Sequence, residues 1–134
     1  MNSEKESIFV NIFIAKNKRN RMDYELKNHQ KRNVAIHRFA HRTEEHILVN
    51  KIFLEGKYLI FKEDLIKIKG FYRPTKVYVI CNNDDIDGTY LDFEEAMELE
   101  NHYAPYILLV GDNISCIVTE PMSGSYNRYI LYNR

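Results

Sequence analysis

Ile107-Leu108-Leu109-Val110-Gly111-Asp112-Asn113-Ile114-Ser115-Cys116-Ile117-Val118-Thr119-Glu120 is the stretch on which the fold turns. Two runs rich in aliphatic and β-branched residues flank Gly111-Asp112-Asn113, three residues that favour turns, so the pattern predicts two antiparallel strands joined by a hairpin. Immediately upstream, Pro105 ends a helix that begins at Asp92, where Asp92-Phe93-Glu94-Glu95 has capping-box spacing and places acids at the positive end of the helix dipole. That helix is read as running to near Tyr103. Further back, Lys76 to Cys81 is a strand, Asp87-Gly88 is a turn dipeptide, and Thr89-Tyr90-Leu91 can extend back along the preceding strand. Downstream, a Pro121 to Ser125 loop leads to a last strand from Tyr126 to Tyr132.

The first third is read differently. Ile8-Phe9-Val10-Asn11-Ile12-Phe13-Ile14 is short and rich in β-branched and aromatic residues, which favours a buried strand. From Asn20 to His46 there is neither Gly nor Pro, and Met22, Leu26, Ile36 and Ala40 fall on one stripe at helical spacing, with His29 and Asn33 on the same line. A single long helix is expected there. Ile47-Leu48-Val49 and Ile52-Phe53-Leu54 read as strand, broken at Glu55-Gly56, with Lys57 to Phe61 as hairpin partner. Lys62 to Lys69 suits a short helix or a continuing strand before Gly70 and Pro74. The order β-α-ββ-β-α-βββ implies an α+β fold: an antiparallel sheet of about five to seven strands, with one long basic helix and one shorter acidic helix packed on one face.

The chain of 134 residues is expected to form one domain, 1–134, with a basic helical part at about 16–46 and a strand-rich acidic part at about 47–134. Its longest apolar run, Ile8 to Ala15, is interrupted by Asn11 and preceded by Glu4 and Glu6, which suits neither a membrane span nor a secretory signal, so a cytoplasmic location is expected. Cys81 and Cys116 each sit inside an apolar run, where buried thiols are commoner than a disulfide or a metal pair.

Nineteen basic and nineteen acidic residues cancel, but they are segregated along the chain. Between Lys16 and Arg42, nine Lys and Arg face Asp23 and Glu25, a net of +7, and His29, His37 and His41 lie in the same stretch. From Val77 to Asn127 ten carboxylates occur without one Lys or Arg. A basic surface suits phosphate backbones, and an acidic surface suits a basic partner; alternatively the two halves neutralise each other within one chain or across a homodimer. Lys27, Lys31, Arg38 and Arg42 recur at spacings of four, seven and four, the arrangement of a basic ridge along the expected helix. Asp84, Asp85, Glu95 and Glu98 are the corresponding acidic candidates. Tyr103, Tyr106, Tyr126, Tyr129 and Tyr132 gather near the last strands, where such rings pack sheets or anchor interfaces.

Three constellations could carry chemistry. Asn83, Asp85, Asp87 and Glu94, with Gly88 between, match the spacing of a calcium loop of the EF-hand kind, in which oxygens at the first, third and fifth positions and a glutamate at the twelfth surround the ion. Arg32-Asn33-Val34-Ala35-Ile36-His37 resembles the R-N-x-x-x-H signature of HEPN ribonucleases. That resemblance implies an all-helical fold and metal-independent RNA cleavage, in which His37 would manage a proton and Arg32 would stabilise the pentacoordinate phosphate. Residues five apart on a helix point about 140° apart, so both would reach one phosphate only in a cleft between elements. Finally, His37 and His41 have the four-residue spacing of a two-histidine metal grip, with Glu44, Glu45 or His46 as further candidate ligands; Arg38 and Arg42 beside them would repel a cation. Neither a Ser-His-Asp order nor a phosphate-cradling glycine loop occurs, and Gly is scarce at five, so no cofactor is expected.

The function expected on these grounds is that of a small non-enzymatic binding protein, a regulator or inhibitor of phage or mobile-element type, acting on nucleic acid, a nucleoprotein or another nucleic-acid-handling protein. The alternatives are a ribonuclease using Arg32 and His37, and a structural homo-oligomer with internally neutralised charges.

Overall fold

A computed structural model describes residues 1–120 and 126–134. The Pro121 to Ser125 loop expected from the sequence lies outside the described residues. Six strands form one antiparallel sheet: β1 (Ile52–Gly56), β2 (Lys76–Cys81), β3 (Tyr90–Asp92), β4 (Tyr106–Val110), β5 (Ile114–Val118) and β6 (Arg128–Tyr132), in the spatial order β1-β6-β5-β4-β2-β3. The α+β class expected from the sequence is therefore the one observed. The β4–β5 hairpin is in register with Leu108 opposite Cys116, and Gly111, at φ +66°, supplies the left-handed residue of its turn. β3 folds back on β2 with Val77 opposite Leu91.

Ile8 to Ile14 is not a strand. It belongs to α1 (Ser3–Phe13), capped by the Asn2 side chain, whose Oδ1 accepts the Lys5 backbone N–H at 3.0 Å. The deciding pattern is the helical spacing of Glu6, Phe9, Val10 and Phe13, all buried on one face, which outweighs the β-propensity of the isoleucines.

The single long helix is likewise three segments: α2 (Lys16–Lys27), α3 (Arg32–His41) and the short α4 (Thr43–His46). Without Gly or Pro, the break between α2 and α3 comes from Asn28. Its side-chain oxygen accepts the N–H groups of Gln30 at 3.0 Å and Lys31 at 3.2 Å, an alternative to helical bonding that folds the chain into a helical hairpin. Met22, Leu26, Ile36 and Ala40 are all buried as expected, but as parts of two helices turned toward the same sheet.

Helices lie on both faces of that sheet rather than on one. Phe9, Phe13, Leu26 and Phe39 from α1 to α3 pack on Tyr78, Ile80, Ile107, Leu109 and Tyr129. On the opposite face, α5 (Phe61–Asp64) and α6 (Phe93–Met97) send Phe61, Phe93 and Ala96 onto Val77, Val79, Leu108, Cys116 and Ile130. All five residues of β4 and of β5 are consequently buried, which is why Tyr106-Ile107-Leu108-Leu109-Val110 shows no polar alternation.

Ile47 to Val49 contributes one bridge, Ile14 to Ile47, followed by a 3-10 turn at Val49–Lys51. Lys57 to Phe61 does not pair with β1; the partner of β1 is β6, with Glu55 opposite Tyr129. Lys62 to Lys69 contains the end of α5 and a 3-10 turn, Leu65–Lys67. The acidic helix ends at Met97, earlier than Pro105 alone suggests, and a separate 3-10 turn occupies Asn101–Tyr103. Among the described residues no helix is long and apolar enough to cross a membrane.

Candidate nucleic-acid interface

The four cations expected on one ridge are distributed by the α2–α3 hairpin. Lys27 turns back along α2 to Asp23, with Nζ 2.9 Å from Oδ2, and Lys31 sits in the turn with its ammonium 5.2 Å from the centre of the exposed Tyr24 ring. Arg38 of α3 and Arg42, the residue that ends it, remain together and meet Lys18 and Arg21 of α2 across a groove. Met22, Ala35 and Phe39 contribute apolar lining, and the cavity measures about 240 Å³.

Glu25 organises this groove. Its side chain is 8% exposed, and it accepts Arg38 Nη1 at 2.7 Å while Arg21 Nε lies 3.1 Å away. Burial opposes ionisation of Glu25, but the hydrogen bond and charge of Arg38, with Arg21 and Lys31 behind, hold its carboxyl below the usual range. Arg42 has a looser partner in Glu45 at 3.5 Å. Four cations thus share two carboxylates in one concave feature. Lys18 and Arg21 were not singled out by sequence reasoning, because a single straight helix would separate them from Arg38 and Arg42 by several turns.

Arg32 has a different place from its neighbours. It is buried at the start of α3, and all five of its N–H donors are engaged. Nε donates to Asp87 Oδ2 at 2.8 Å; Nη1 donates to Glu6 Oε1 and to the Leu26 carbonyl at 2.9 Å; Nη2 donates to Glu6 Oε2 and Asp87 Oδ1, each at 2.8 Å. Tyr78 adds its hydroxyl to Glu6 Oε2 at 2.6 Å, and burial, with the Glu6 carboxylate beside it, pushes that phenol well above its ordinary pKa. Every donor of the guanidinium is committed to the fold, so the role that the resemblance to HEPN ribonucleases implies for Arg32 is not available to it. His37, on the same helix, is 62% exposed and turned elsewhere, and the surrounding fold is α+β rather than all-helical. Arg32 cannot be exchanged without cost to the fold, contrary to what its position off the apolar stripe suggests.

The calcium-like spacing is dismantled in the same way. Asp87 is held by Arg32 and by the Cys81 backbone N–H at 3.1 Å, Asn83 Oδ1 accepts the Asp85 N–H, and Glu94 is bound by Lys62 at 2.8 Å and Arg73 at 2.6 Å. The segment before the loop is a strand, β2. Among the described residues no three His, Cys, Asp or Glu side chains gather around one ion position.

The acidic candidates do not form one surface. Asp84 and Asp85 project from the loop between β2 and β3, whereas Glu95 and Glu98 lie at α6, on the far face of the sheet from α2 and α3. Lys62 lies 3.6 Å from Glu98, and Lys76 pairs with Asp92 at 2.6 Å. Lys62, Arg73 and Lys76 therefore neutralise much of α6, while the basic helices reach Asp87 through Arg32 and Glu120 through His37 and His41. His46 is buried against Phe39, with Nδ1 2.8 Å from the Arg42 carbonyl, and is a packing residue.

No known family model, curated protein or solved structure matches the chain.

Proposed function

We propose that the protein is a non-enzymatic binder of nucleic acid or nucleoprotein, which receives the phosphate backbone in the groove between α2 and α3. The observation that supports this reading is the convergence of Lys18, Arg21, Arg38 and Arg42 on one concavity with only Glu25 and Glu45 opposing them. Guanidinium forks match phosphate oxygens, and such contacts fix position on a backbone without reading sequence. Tyr24 and Lys31 extend the same hairpin with an exposed ring and a cation, a combination suited to an unstacked base. The role that follows is that of a small regulator or inhibitor of nucleic-acid handling, of the kind mobile elements encode. Asp84 and Asp85 offer a separate acidic contact for a basic protein partner.

The test is fluorescence anisotropy with labelled single- and double-stranded RNA and DNA. The Lys18→Glu, Arg42→Glu double variant, which spares the Arg38–Glu25 pair, is expected to remove binding while circular dichroism stays unchanged. Wild-type affinity should fall linearly on logarithmic axes as salt rises, with a slope of ~0.9 per phosphate neutralised on duplex DNA. Salt-independent binding, or binding that survives the double charge reversal, overturns the proposal.

A further inference from the structure

We propose that His37 and His41 form a surface site for one borderline transition-metal dication such as Zn²⁺, with the Glu120 carboxylate behind both rings. The two histidines are one turn apart on α3, the spacing at which two imidazoles on one helix face reach the same ion. Glu120, two residues beyond the end of β5, places its carboxylate behind them. Oε1 lies 2.9 Å from His37 Nδ1, and Oε2 lies 3.3 Å from His41 Nδ1. The His41 contact is a hydrogen bond in which the carboxylate can only accept, so His41 Nδ1 carries the proton and in the neutral ring the lone pair resides on Nε2; His37 Nδ1 stands beside the other oxygen as a close charge-pair contact. Among the described residues neither Nε2 makes a hydrogen bond. This arrangement, carboxylate to Nδ1–H with Nε2 outward, is the orientation by which outer carboxylates fix and strengthen ligating histidines.

The surroundings allow an ion to approach. The rings are 62% and 56% exposed and border an open hollow of about 660 Å³ shared with Asn33, Val34, Arg38, Asn82 and Glu120. The expected repulsion from Arg38 and Arg42 is reduced because each guanidinium is drawn to its own carboxylate, Glu25 or Glu45. Glu120 brings a further negative charge directly behind the imidazoles. With two protein nitrogens and no third convergent side chain among the described residues, the remaining coordination positions would be filled by water or by a donor from a bound molecule. Arg38 lines both this hollow and the groove between α2 and α3, but His37 and His41 do not line the groove, so metal binding is read separately from nucleic-acid binding.

The experiment is calorimetric titration of the full chain with Zn²⁺, repeated with Ni²⁺, in a non-chelating buffer. One ion per chain is expected. His37→Ala and His41→Ala should each weaken binding at least tenfold, Glu120→Gln should weaken it by about 10- to 100-fold, and His29→Ala, His102→Ala and Lys18→Glu should leave it unchanged. Long-range ¹H–¹⁵N spectra of the wild-type histidines should show the metal-induced shift at Nε2 of both His37 and His41, which decides the matter even where a variant fails to fold. Absence of saturable binding, binding indifferent to either alanine, Glu120→Gln within twofold of wild type, or a shift at Nδ1 would each overturn the proposal.

Discussion

Arg32 and Glu6, twenty-six positions apart in the chain, form a buried ion pair in which the guanidinium donates to both carboxylate oxygens, with the side chains 7% and 2% exposed. The pair ties the start of α3 to α1, and through Asp87 it also ties both helices to the loop that follows β2. Desolvating such charges is costly, and five satisfied donors with the Tyr78 hydroxyl are what make the arrangement tolerable.

Removing one partner should therefore be severe. Arg32→Met is expected to destabilise the protein by about 3–5 kcal/mol, because it strands the Glu6 carboxylate in the interior. Adding Glu6→Gln should return part of that loss, since a neutral amide costs less to bury than an unpaired charge. Urea titration of the single and double variants measures both quantities; a loss below about 1 kcal/mol for Arg32→Met would contradict the account.

Acid should loosen the α2–α3 hairpin first through Glu25. Its folded pKa lies below the ordinary 4.5, so its contribution to stability is complete above that value and is lost as pH falls through and beneath it. Glu25→Gln should be less stable than wild type at neutral pH and show a flatter decline below pH 4.5. Melting temperatures recorded from neutral to acid pH give the comparison, and parallel curves for the two proteins would exclude Glu25 as the responsible group.

Asn28 is the hinge of the same hairpin. Asn28→Ala removes the side-chain acceptor of two backbone N–H groups, and about 0.5–1.5 kcal/mol of stability per hydrogen bond should go with it. Because that change permits α2 to continue, helical content should rise or stay level even as the melting temperature falls. A drop in helicity would mean that Asn28 stabilises the helices themselves.

The thiols should be inert in the native state. Burial raises the Cys81 pKa to about 11 and pushes that of Cys116, buried in β5, still higher, so almost no thiolate is present near neutrality. Ellman's reagent at pH 8 is expected to label neither until denaturant is added, and then both. Rapid labelling of one thiol in the folded protein would show that its strand opens locally.

What the sequence determined by itself was local and repetitive: the β4–β5 hairpin around Gly111, the β2–β3 return at Asp87-Gly88, the helix start at Asp92, and the burial of Met22, Leu26, Ile36 and Ala40. Each depends on turn chemistry or on periodicity within a dozen residues, and those preferences act through neighbours in the chain. The apolar continuity of β4 also carried the signal that both faces of the sheet are covered. The tertiary structure alone decided the rest. Ile8 to Ile14 became helical because Phe9, Val10 and Phe13 could then share one buried face, a gain that exists only when the sheet is there to receive it. The partner of β1 is β6, some seventy residues away, and no local pattern distinguishes it from the nearer segment at Lys57 to Phe61. The charged groups show the same division most clearly. Arg32, His37, Arg38 and Arg42 look alike as cationic letters on one segment, yet one is locked on Glu6 and Asp87, one faces Glu120, and two line a groove with α2. The partners of Arg32, His37 and Arg38 are brought by folding from 13 to 83 positions away, and electrostatic energy depends on that distance in space, to which spacing along the chain is blind.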